Sequence, residues 1–129
     1  MDIKEIGQYN LLSLAYLGDS IWELNVREFY FVENLKVEEL NNKVKELVNA
    51  KSQSKIYKKI FDELSDDLKI ISKRGRNANI KSFAKTCTST EYRNATAFEV
   101  LIAVLYLTNN KEKINEIIKK FVKGESNNE

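Results

Sequence analysis

The chain has 129 residues, 43% of them hydrophobic, with 21 lysines and arginines against 19 acids for a net charge of +2. That length suits one globular unit with a moderate core, and no apolar run approaches the roughly 20 residues that span a bilayer. Histidine and proline are absent and cysteine occurs once, which excludes internal disulfides, cysteine- or histidine-built zinc cages and every Ser–His or Cys–His triad.

Catalysis is left to carboxylates, lysine, tyrosine or a metal on oxygen ligands, a donor set that favours Mg²⁺ or Mn²⁺ over zinc. The single Cys87 reads as an incidental thiol and points to a reducing compartment. Met1-Asp2-Ile3-Lys4-Glu5 has neither the basic start nor the long apolar centre of a signal peptide. The expected location is therefore cytoplasmic, with no membrane partner.

Residues 1–9 read as an irregular lead-in, and Asn10 is placed to cap the first long helix. Leu14, Leu17, Ile21 and Leu24 recur at three and four residues, so a helix is expected over 11–32. Inside it stand Gly18 and Asp19. Glycine costs a helix about 1 kcal/mol against alanine, and a half-buried aspartate costs more unless a cation meets it. Either a backbone or a metal ion comes close here, or the helix ends at Gly18 and restarts with Asp19 as its N-cap. Glu23 lies one turn beyond Asp19 and four residues before Arg27, a favourable helix-surface pair.

Asn34 to Lys36 break the pattern, and a second helix is expected over 37–64 on the stripe Leu40, Val44, Leu47, Ile56 and Ile60. Its other face carries Lys51, Lys55, Lys58 and Lys59, a solvated face unless phosphates meet it. Ser65, helped by Asp66 and Asp67, caps a third helix that ends in Lys73-Arg74-Gly75-Arg76. Cations at a helix C-terminus are ordinary capping. The basic density continues through Lys81 and Lys85 in a small-residue loop, which is an electrostatic footprint for phosphates.

Thr90 is expected to cap a fourth helix reaching residue 107. That helix is apolar nearly all round and so belongs at the centre of the bundle, yet it carries Glu99 in its middle. The partner of Glu99 is either Arg93 or a lysine in a buried ion pair, or a metal ion facing Asp19. A last amphipathic helix over 111–122 closes the fold through Ile114, Ile117, Ile118 and Phe121. The reading is an all-α helical bundle: a single domain spanning 1–129, with a core of about 9–122 and a frayed tail at 124–129. Two carboxylates in its two most apolar helices repel each other unless a cation lies between them. Mg²⁺ beside a basic surface makes phosphodiester hydrolysis the natural chemistry.

Tyr16-Leu17-Gly18-Asp19-Ser20-Ile21 resembles the signature of the ribonuclease III catalytic domain, Phe/Tyr-Leu-Gly-Asp before small and apolar residues. Phe98-Glu99-Val100-Leu101-Ile102-Ala103 resembles that family's second motif, Val-Glu-Ala-Leu-Ile-Gly. With Leu14-Ala15-Tyr16, Val48-Asn49-Ala50-Lys51-Ser52-Gln53, Arg74-Gly75-Arg76-Asn77-Ala78 and Tyr92-Arg93-Asn94-Ala95-Thr96-Ala97 in order, the chain is most similar to the Mini-ribonuclease III group. That group is the catalytic domain without a double-stranded-RNA-binding domain, and the chain stops just after its last helix.

The resemblance implies a dimeric, Mg²⁺-dependent endoribonuclease, with Mn²⁺ as a substitute, that cuts double-stranded RNA and leaves 5′-phosphate and 3′-hydroxyl ends. Precursor large-subunit ribosomal RNA is the implied substrate. Asp19 and Glu99 are the implied catalytic metal ligands, and Tyr16 stands where the family places an aromatic knob for a socket in the partner. Lys51, Lys55, Arg74, Arg76, Lys81 and Lys85 are the expected RNA contacts. Family acids are replaced by Ala15 and Thr96, a third falls near Val37 with Glu38 and Glu39 adjacent, and Ala103 replaces the final glycine. These departures leave a second metal without obvious ligands, with Glu23 as the one helper. The alternatives are a non-catalytic RNA-binding or ribosome-associated module of the same fold, and a helical protein–protein adaptor.

Overall fold

The computed structural model describes residues 1–78 and 86–126, with the backbone alone for 123–126. Among the described residues there are seven α-helices and no strand. They are α1 (Ile3–Ile6), α2 (Leu11–Phe31), α3 (Val37–Val48), α4 (Ala50–Ile60), α5 (Asp66–Arg76), α6 (Ser89–Leu107) and α7 (Lys111–Ser126), with a 3₁₀ turn at Phe61–Glu63. None of these helices is long and apolar enough to cross a membrane.

The expected cap of α2 is present: the Asn10 side chain accepts from the Ser13 amide at 3.0 Å. The helix runs unbroken through Gly18 and Asp19, so Asp19 is not an N-cap. It stops where Asn34 takes a left-handed φ of 53°, a conformation asparagine tolerates better than most residues. Asn109, at φ 63°, turns the chain between α6 and α7 in the same way.

Four boundaries differ from expectation. The lead-in contains α1, because Asp2 accepts from the Glu5 amide at 2.9 Å and Ile6 is buried. The long helix over 37–64 is divided at Asn49, whose backbone is extended at φ −86° and ψ 161°. Its side chain faces both ways, accepting from the Ser52 amide at 2.9 Å to start α4 and donating to the Lys45 carbonyl at 2.9 Å to close α3. Thr88 rather than Thr90 caps α6, through a reciprocal capping box with Glu91 at 3.0 and 2.8 Å. Finally, α7 continues through Ser126 where a frayed tail was expected from 124; residues 127–129 lie outside the described set.

As its composition demands, α6 is central. Every residue from Asn94 to Leu105 is buried except the half-buried Glu99. One apolar cluster on α6 gathers Trp22, Val26, Leu47, Ile56, Phe98 and Leu101, and a second gathers Ile6, Leu14, Ala15, Ile71, Val100 and Val104. Trp22 meets Phe98 edge to face at 4.8 Å between ring centres. Its indole N–H donates to the Leu47 carbonyl at 2.8 Å, satisfying one of the orphan acceptors at the end of α3.

Candidate active site

Among Gly7, Gly18 and Gly75, the closest approach is at Gly18, where α2 crosses α6. A Cβ built on Gly18 would lie 1.8 Å from the Glu99 carbonyl oxygen and 2.6 Å from its carbon. Only glycine permits this approach, and it sets the residue after Gly18 beside the side chain of Glu99. The Asp19 and Glu99 carboxyl groups lie within hydrogen-bonding distance of each other. Burial, then the Asp19 charge, then the hydrogen bond to Asp19 push the Glu99 carboxyl up to about 9. With no cation present, Glu99 is therefore protonated at neutral pH. Asp19 itself is exposed, so the pair opens to solvent.

The other candidate acids stand apart. Glu23 is engaged by Arg27 at 2.6 Å on the helix surface. Among the described residues no ion pair reaches Glu99, and Arg93 instead donates to the Arg76 carbonyl at 3.3 Å. Ala15 is buried in the apolar cluster beside Ile6, and the Thr96 hydroxyl donates to the Tyr92 carbonyl at 3.0 Å. Glu38 and Glu39 are exposed in the first turn of α3. No group of three or more acids or cysteines poised for a metal occurs among the described residues.

Two oxygen ligands facing solvent fit a single Mg²⁺. That ion keeps several waters and takes one or two carboxylates rather than a full protein cage. Two acids held side by side mark where a cation would relieve their repulsion. Residues present and ion agree in donor type, number and openness.

Of the expected RNA contacts, Lys51 and Lys55 are exposed on the outer face of α4. Arg74 and Arg76 leave opposite sides of α5. Arg74 donates to the Gly7 carbonyl at 3.1 Å, and Arg76 Nε donates to Asn94 Oδ1 at 2.8 Å. Lys81 and Lys85 lie outside the described residues. Asn94 is the polar residue that periodicity alone passes over: it is buried, fixes Arg76, and donates to Ser54 at 3.2 Å. An asparagine inside so apolar a helix is the signal that could have found it. Tyr16 projects from α2 with 85% of its surface exposed, on a face shared with Leu12, Leu24 and Phe31.

The family model described as the ribonuclease III domain matches residues 12–110. The chain belongs to the ribonuclease III domain family. Similar proteins include a Mini-ribonuclease 3-like protein of Fusobacterium nucleatum, 48% identical over 122 residues and covering 95% of each chain. Mini-ribonuclease 3 of Enterococcus faecalis is 35% identical over 130 residues, covering 97% of this chain and 98% of the other. A crystal structure of a Fusobacterium nucleatum protein superposes with a TM-score of 0.85 at 47% identity, over 92% of this chain and 95% of that one. Membership makes the chain a ribonuclease III-type endoribonuclease with an all-α fold. In this chain the segments that carry Asp19 and Glu99 are brought into contact across Gly18.

Proposed function

We propose that this ribonuclease III domain is a Mg²⁺-dependent enzyme, with Mn²⁺ as a working substitute, that hydrolyses double-stranded RNA to 5′-phosphate and 3′-hydroxyl ends. The acid pair over the Gly18 contact is the observation that carries this reading. Asp19 and Glu99 would hold the cation, with Glu99 in its deprotonated form. A bound divalent cation supplies the charge that acidifies water and offsets negative charge building on the scissile phosphate. The helix crossing holds both ligands in place before RNA arrives, so little reorganisation is left for the reaction.

Lys51, Lys55, Arg74 and Arg76 meet phosphates and 2′-hydroxyls rather than base edges, because the A-form major groove is too narrow for side chains to read. Lys81 and Lys85 are given the same role on sequence grounds. Precursor large-subunit ribosomal RNA in the cytoplasm is the substrate suggested by the four sequence blocks shared with the Mini group.

A homodimer completes the proposal, since one chain offers one acid pair and a duplex has two strands to cut. Tyr16 is 85% and Phe31 73% exposed towards opposite ends of α2. Two copies of α2 packed antiparallel about a two-fold axis place Tyr16 of one near the Phe31 end of the other. A 300 Å³ pocket lined by Val37, Leu40 and Val44 lies at that end, with room for an aromatic side chain.

The deciding experiment incubates the protein with duplex RNA in Mg²⁺ and then in EDTA, beside the Asp19→Asn variant. Cleavage by the wild type in Mg²⁺ alone, with a folded but inactive variant, supports the assignment; a variant that cuts normally refutes it.

A further inference from the structure

On another face of α6, α4, α5 and α6 form an open pocket of about 490 Å³, within the range of small-molecule sites. Its walls carry three cations, Lys58, Lys73 and Arg76, and no carboxylate. Its lining is largely apolar, with the half-buried Phe61 packed edge to face on the buried Tyr57 at 5.5 Å between ring centres. Lys73 Nζ sits 5.1 Å and Lys69 Nζ 5.6 Å from the centre of the Phe61 ring. The guanidinium of Arg76 is aimed by the buried Asn94, itself bonded to Ser54. The Tyr57 hydroxyl is already paired with Ser72 at 2.8 Å, so the lining adds no open polar group there.

Three cations along one pocket with no acid among its lining residues favour an anion. Arginine with two lysines is the equipment of a phosphate site. An apolar, partly aromatic lining of this size asks in addition for a flat, weakly polar body. A nucleotide has both parts. We infer that the pocket takes one nucleotide, its phosphate among Lys58, Lys73 and Arg76 and its base against the half-buried Phe61. Asn94 and Glu99 are five residues apart on α6, about 7.5 Å along the helix axis and about 140° around it, so the pocket and the acid pair lie on different faces. The nucleotide is either a free mononucleotide or an unpaired residue of a bound RNA. This deepens the RNA-binding reading yet needs neither Asp19 nor Glu99, so the test runs without divalent metal.

The experiment is an NMR titration of the labelled protein in EDTA with AMP, CMP, GMP and UMP, and in parallel with uridine and inorganic phosphate. The side-chain amides of Asn77 and Asn94 and the Tyr57 ring should shift with mononucleotides, at concentrations about tenfold below those that uridine or phosphate requires. Lys73→Ala, a change at an exposed position, should raise the mononucleotide requirement about fivefold. A second arm measures binding of Asp19→Asn protein to a duplex with one bulged nucleotide and to its fully paired counterpart. An RNA source predicts about threefold tighter binding of the bulged duplex, erased when Lys73→Ala is added. A free-nucleotide source predicts equal binding of the two duplexes while mononucleotides still occupy the cavity. The inference is overturned if mononucleotides leave these resonances unmoved and the bulge gives no gain, or if inorganic phosphate binds as well as any nucleotide.

Discussion

Burial and the neighbouring Asp19 hold the Glu99 carboxyl protonated up to about pH 9. The folded chain thus keeps a proton that the unfolded chain has lost above the ordinary carboxylate range. Stability of the metal-free protein should fall as pH rises from the ordinary carboxylate value towards about 9, because the native state then binds more protons than the denatured one. Denaturant unfolding across that range measures the slope, and Glu99→Gln should flatten it; an unchanged slope in the variant contradicts a protonated Glu99. Gly18→Ala tests the same site sterically. Alanine gains about 1 kcal/mol of helix propensity against an overpacking cost of about 3 kcal/mol. A net loss of about 2 kcal/mol is expected in the same assay, with cleavage reduced more than stability because the acids are pushed apart. Gly75→Ala should be milder, since its Cβ would meet the end of the Val100 side chain at 2.7 Å rather than a backbone. Gly18 and Asp19 were legible in the sequence because each is expensive where it stands, and expense implies a close neighbour. The partner of Glu99 was not: Arg93, Lys and a cation were equal on sequence grounds until Arg93 was seen to bond to the Arg76 carbonyl.

At the scale of elements, the joins depend on single side chains. Asn49 closes α3 and opens α4, so Asn49→Ala should cost about 1 kcal/mol or more, the usual loss for one N-cap. A thermal melt checks this, and an unchanged midpoint would mean that packing alone sets the break. The division was hidden because the apolar stripe continues in phase on both sides of Asn49, and periodicity cannot report a bend that preserves the buried face. The start of α6 was legible but misplaced by two residues. Thr88 and Thr90 are equivalent as lone caps, and the glutamate three residues after Thr88 is what separates them. Central placement of α6 needed only its composition, since a helix apolar on every side has nowhere else to go.

For the molecule as a whole, the exposed apolar face of α2 and the scattered cations make two further demands. If the α2 face joins two copies, Tyr16→Asp should move the sedimentation mass from twice 15.0 kDa to 15.0 kDa, and a wild type that sediments as a monomer contradicts the pairing. Duplex RNA affinity should fall steeply between low and physiological salt, and a flat dependence argues against phosphate contacts. Cation placement resists sequence reading at this scale, because helix register turned Arg74 towards Gly7 and Arg76 towards Asn94 although they are two residues apart. The proposed chemistry comes down to one ion held between α2 and α6. Anomalous diffraction from crystals soaked in Mn²⁺ tests this most directly. A single peak at the Asp19–Glu99 pair, lost in Asp19→Asn, is expected; no peak there, or one that survives the substitution, rules the cation site out.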